Sequence, residues 1–169
     1  MDEKTAKTLV LKMSCTPKWG CTGDTAVSDD ELIETLLNSD GLEWTDSEGR
    51  DLLINAVIYE RDIIVEFLLN QGANVNITDK NGFSPLHFAV QSGNLGITNI
   101  LLKFDPNVNI KNAFGNSPIM MATLNFPLEG FEALLKNGAD PHQKNNYGVS
   151  AKDIFSAYPE IVGLFDIQQ

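Results

Sequence analysis

Two histidines, two cysteines and a run of carboxylates are the side chains in these 169 residues whose chemistry could go beyond packing. Imidazole titrates near neutral pH, so His87 or His142 could serve as a general base or a metal ligand. A base needs a nucleophile or a second titratable group set against it, and neither histidine stands in such a pattern. The sequence has no phosphate-cradling glycine loop, no His-x-x-x-His pair and no Cys-x-x-Cys. Cys15 and Cys21, in Cys-Thr-Pro-Lys-Trp-Gly-Cys, could close a small disulfide ring or stand as two reduced thiols in a loop. Zinc needs four ligands, and both histidines lie far away in sequence. The acids Asp24, Asp29, Asp30, Glu31 and Glu34 could gather a cation or a partner. Acids in a helix's first turn also oppose its positive pole, which is the stronger reading. An enzyme would need a constellation assembled purely in space. The expectation is therefore a non-catalytic chain without a cofactor.

The elements that would position these groups follow from an internal repeat. Gly49, Gly82, Gly115 and Gly148 recur at a strict period of 33 residues, as do Ala56, Ala89 and Ala122. The pairs Leu68-Leu69, Leu101-Leu102 and Leu134-Leu135 keep the interval, and so do Asn76 and Asn109. Asx residues precede each glycine, the combination that suits a tight turn in which glycine takes positive φ. Two residues later come Asp51, Ser84, Ser117 and Ser150, each a good helix N-cap. Pro85 and Pro118 then fit the first helical position, where a missing N–H costs nothing. A short first helix should follow, with Ala56, Ala89 and Ala122 on its inner face. A second helix carries the Leu-Leu pairs with Ile64, Phe67, Ile97 and Ile100 at helical spacing. Gly72 and Gly138 read as left-handed caps for it, whereas Asp105 stands at the corresponding position as a weaker one.

Upstream of the repeats, Ser28-Asp29-Asp30-Glu31 reads as a capping box opening a helix with Leu32, Ile33, Leu36 and Leu37. This is the second helix of a shortened first repeat. Ala6, Leu9, Val10 and Met13 share one helical face, so residues 4–13 form a further helix shielding the end of the stack. Residues 14–27, with both cysteines and Trp19, read as a loop.

Ser84-Pro85-Leu86-His87-Phe88-Ala89 resembles the T-P-L-H-x-A signature of the ankyrin-repeat family, with Ser in place of Thr. Gln71-Gly72-Ala73-Asn74-Val75-Asn76 and Asn137-Gly138-Ala139-Asp140 resemble its G-A-D-V-N stretch. The resemblance implies an all-α solenoid of helix-turn-helix units joined by short β-hairpin loops. Repeats would span 46–78, 79–111 and 112–144, with a degraded capping repeat at 145–169 and N-terminal capping helices and a cysteine loop in 1–45. Phe155 stands in the alanine column of that last repeat, where a cap has no neighbour to admit. The resemblance also implies that His87 hydrogen-bonds between hairpins. His142, in the column of Asn76 and Asn109, is likewise expected to be structural.

Function must then lie on surfaces that a solenoid leaves free. The resemblance implies a concave face built from hairpin tips and first helices. The tips carry Glu48 and Arg50, Lys80 and Phe83, Phe114 and Asn116, and Tyr147; the ends of the first helices carry Tyr59, Gln91 and Asn125. Tyr59, Phe83, Phe114 and Tyr147 would form an aromatic column, the composition of a binding hot spot. The competing reading is that Phe83 and Phe114 tuck onto adjacent hairpins.

The net charge of −11, from 23 acids against 12 bases, argues against nucleic acid and against an anionic membrane surface. It would attract a basic protein, or merely keep the chain soluble. No segment approaches a membrane span, and the start lacks the apolar run of a secretory signal. The expected setting is cytoplasmic, or exported only if a leader has been removed. The chain is expected to be a monomer until it grips one protein partner, as an adaptor or regulatory subunit. The alternative role is an immunity-type protein that neutralises a cognate, basic effector. An enzyme or metal protein using the cysteine loop ranks last.

Overall fold

A computed structural model describes residues 3–14, 28–38, 44–122 and 126–166. The helices are α1 (Glu3–Ser14), α2 (Asp29–Leu37), α3 (Leu52–Ile58), α4 (Asp62–Asn70), α5 (Pro85–Gln91), α6 (Leu95–Leu102), a 3₁₀ helix (Pro118–Met121), α7 (Leu128–Lys136), α8 (Ala151–Ile154) and α9 (Pro159–Asp166). Among the described residues there is no strand. Two rows of helices stack side by side. One runs α1, α3, α5, the 3₁₀ helix and α8; the other runs α2, α4, α6, α7 and α9. The apolar columns lie between the rows: Ala56 and Ala89 are wholly buried, and so are Ile64, Ile97 and Leu134.

The N-terminal helices continue both rows. α1 packs on α3 through buried Ala6, Leu9 and Met13, and α2 packs on α4 through Leu32 and Leu36. Arg61 fastens this pair to the stack. Its guanidinium donates to the carbonyls of Met13 at 3.1 Å and Lys12 at 3.3 Å, and pairs with Asp29 at 3.1 Å. The cation thus satisfies orphan carbonyls at the end of α1. Of the capping box expected at Ser28, one arm forms: Ser28 Oγ accepts from the Glu31 amide.

First helices start as the caps require. Asp51 accepts from the Ile54 amide at 2.8 Å, and Ser84 and Ser150 form full boxes with His87 and Asp153. The third unit departs from expectation. Ser117 makes no side-chain cap, its Oγ is buried without a partner, and the helix is a single 3₁₀ turn. Ala122 leaves it in extended conformation (φ −58°, ψ 136°) and is only half-buried, not an inner-face helical residue.

Two substitutions against the repeat account for this. Where α5 ends in Gly93 at φ 76°, the third unit has Phe126, which disfavours positive φ. Where Asn94 caps α6, it has Pro127, which drives residue 126 away from the helical region. The third position of the 3₁₀ helix is Met120, whose thioether is only a weak acceptor and makes no bond back to Ser117. Met120→His is therefore expected to rebuild the box seen at Ser84 and raise stability by roughly 1 kcal/mol. Urea unfolding measures this, and an unchanged or lower midpoint would show that the 3₁₀ turn cannot accept the box.

Phe126 also fills a gap. Gly130 occupies the column of Ile64 and Ile97, and the Phe126 ring lies where that side chain would be. A Cβ built on Gly130 would collide with the Phe126 ring.

Candidate protein-binding surface

Each tip is built in the same way. Asp46, Asp79, Asn112 and Asn145 use one side-chain oxygen to accept two amides of their own turn, as Asp79 does from Asn81 and Phe83 at 2.9 Å each. The glycine that follows sits at φ 76–77° in all four turns. Consecutive tips are then joined by a backbone ladder: Lys80 N–H donates to Glu48 C=O, Ala113 to Asn81 and Asn146 to Phe114, at 2.8–3.1 Å.

His87 ties the first helices to this ladder. Its Nδ1 accepts from the Ser84 amide at 3.1 Å, so its proton resides on Nε2, which donates to the Asn116 carbonyl at 2.9 Å. Burial pushes the imidazole below its usual pKa, outweighing the Asn116 carbonyl and the Asp79 carboxylate. Both nitrogens are committed and the ring is completely buried, so it cannot act as an accessible base. His142 is exposed, whereas Asn76 and Asn109 in its column accept from the Asn107 and Asp140 amides of the following unit.

The expected contact residues divide into two groups. Phe114 is 47% exposed and Tyr147 74%, and Glu48, Lys80 and Gln91 are exposed as well. Lys80 Nζ is held against the Ser47 carbonyl at 2.6 Å. Phe83 instead tucks inward, with its ring 5.5 Å from His87 and 5.6 Å from Phe88. Asn116 is a structural bridge that accepts from Asn145 Nδ2 at 2.8 Å. One unit back the equivalent acceptor position is Phe83, and Asn112 Nδ2 is buried there without a partner. Tyr59 is a half-buried C-cap of α3. Asn125, Cys15 and Cys21 lie outside the described residues.

Reading the sequence by helix ends alone missed a further column: Phe88, Met121 and Ile154, spaced by 33 residues. Phe88 touches Phe83 and lies beneath the Arg50 guanidinium, both on tip segments, so this column lines the angle between tips and first helices. Its period was available in the sequence. A cavity of about 720 Å³ lies elsewhere, between α2, α4 and the first tip, and shares none of these residues.

A family model described as "Ankyrin repeats (3 copies)" matches residues 24–112 and, in a second register, 53–145. The chain belongs to the ankyrin-repeat family. Human Arf-GAP with coiled-coil, ANK repeat and PH domain-containing protein 2 is 38% identical over 68 residues, 39% of this chain and 9% of that protein. Two ankyrin repeat proteins of Fowlpox virus (strain NVSL) are 42% identical over 62 residues and 40% over 48, covering 36% and 28% of this chain. The chain spans 9%, 18% and 34% of the length of these three relatives. Ankyrin repeats are modules of protein–protein interaction, and the stacked tips described here are the form that such a module takes. Among the described residues no cluster of His, Cys, Asp and Glu could hold a metal ion, and no helix is long and apolar enough to cross a membrane.

Proposed function

We propose that this ankyrin stack is a non-catalytic grip for one protein partner, docked on the concave face where tips meet first helices, with the role of an adaptor or regulatory subunit. The observation that carries this reading is the exposure of Phe114 and Tyr147 at successive tips, where neither ring stacks on another ring among the described residues. Glu48, Lys80 and Gln91 form the polar rim, while Asn116 holds the last two tips in register beneath. The same reading divides the chain into an N-terminal unit, 1–45, and repeats at 46–78, 79–111, 112–144 and 145–169. The net charge of −11 favours a partner that is basic overall, by accelerating encounter.

The test begins with affinity capture of the partner from native lysate, followed by titration of Phe114→Ala with Tyr147→Ala. Truncating a central aromatic anchor typically costs ~2 kcal/mol or more, so the double variant should bind at least about thirtyfold more weakly while melting normally. Full affinity in a folded double variant would move the contact to the helix rows on the opposite side.

A further inference from the structure

The chain has two arginines, and the structure uses them differently. Arg61 spends its donors on two carbonyls and a carboxylate. Arg50 makes no ion pair with any described residue although the chain carries 23 acids. Its Nε is buried without a hydrogen-bond partner, and its guanidinium carbon lies 5.7 Å from the centre of the Phe88 ring. Stacking on Phe88, which is itself tilted against Phe83, restrains the guanidinium and removes water from one of its faces. The acids of the first two tips do not answer it: Asp46 and Asp79 accept amides of their own turns, and Glu48 is exposed. A restrained, partly desolvated guanidinium with unused donors is a receptor for a planar anion, because its fork matches a carboxylate in a bidentate pair. Half-buried Phe88 and Phe83 offer an apolar surface beside the cation, and half-buried Met121 continues the Phe88 column in the next unit.

Resting on the reading above, we propose that Arg50 is the specificity-determining anchor of the concave face, receiving an Asp or Glu side chain of the partner protein whose apolar neighbour packs on Phe83, Phe88 and Met121. Charge complementarity at this one point selects the acid. A partner that is basic overall still presents single carboxylates. A nucleic-acid phosphate would fit the fork equally well, but the net charge of −11 repels a phosphate backbone.

The experiment selects random dodecapeptides displayed on phage against the full chain. Enriched sequences should carry Asp or Glu close to an apolar residue. A synthetic copy of the best one should bind Arg50→Gln about tenfold more weakly or worse, and Arg50→Lys should recover only part, because lysine restores the charge but not the fork. Replacing the peptide's acid with its amide should cost the same factor in the native chain and nothing further in Arg50→Gln. With only two arginines to distinguish, the Nε–H NMR signal of Arg50 should shift on titration while that of Arg61 stays. Peptides weakened by Phe114→Ala with Tyr147→Ala but indifferent to Arg50→Gln would overturn this inference and leave the docking face standing. Peptides indifferent to both sets would overturn the face as well. Failure to enrich any peptide, or an Arg50-dependent complex with a single-stranded oligonucleotide, would also overturn it.

Discussion

Truncation of Phe126 to alanine is expected to lower stability by about 3–5 kcal/mol, the range for an aromatic removed from a packed core. Phe126 is 4% exposed, and its ring packs edge-on against Phe131 at 5.2 Å. It fills the space above Gly130 that an isoleucine fills in the two preceding units. The pair should therefore behave as a coupled exchange. Gly130→Ile alone should destabilise, because its first side-chain atom already collides with the Phe126 ring. Gly130→Ile on the Phe126→Ala background should instead recover stability, by refilling the gap and by removing a flexible glycine from a helix. A double-mutant cycle in urea, with slopes compared so that compactness is controlled, should give a favourable coupling of roughly 2 kcal/mol or more. Additive losses would show that the ring and the glycine do not share one volume.

Gly115→Val should be the most damaging of the tip substitutions, at about 2–4 kcal/mol. Every tip glycine sits at positive φ, where a β-branched residue is strained by roughly 1–3 kcal/mol. Position decides the rest. At Gly148 an added Cβ meets nothing within 4 Å, at Gly82 it meets Asn112 Cα at 3.0 Å, and at Gly115 it lies 2.7 Å from the Asn146 backbone nitrogen. That nitrogen is the donor of the ladder bond to Phe114, so Gly115→Val strains its own turn and also breaks the joint to the next tip. Losses in thermal or urea unfolding should rank Gly115 above Gly82 above Gly148. Equal losses at all three sites would mean that the backbone angle is the whole cost.

The ankyrin repeat was legible because its columns are each tied to a local physical need: glycine for the turn, serine or aspartate for the cap, alanine between helices. The same logic located His87 and the exposed Phe114 and Tyr147. It failed where one column compensates for another. Phe126 and Gly130 look unremarkable one at a time, and only their contact shows that a ring has replaced an isoleucine and cost the third unit its helix. It left both readings of Phe83 open, since whether an aromatic at a tip lies inward depends on a ring in the next helix, five residues on at Phe88. Arg50 was legible as a surface cation, but not as one left without an acid. Pairing in a solenoid is settled between units, and sequence proximity does not report it.

Phe131, Phe155 and Phe165 lie 5.1–6.3 Å apart, centre to centre, and this trio joins α7 to the final helix pair. Each layer of such a stack touches only its neighbours, so the last layer can swing open by breaking one interface while the rest stays closed. Tyr147 belongs to the tip that leads into this layer. Any partner that holds Tyr147 therefore draws on an open–closed equilibrium set by three phenylalanines it never touches. Linkage runs both ways: occupancy of the tip should slow amide exchange in α8 and α9, and a looser trio should reduce affinity at a distance.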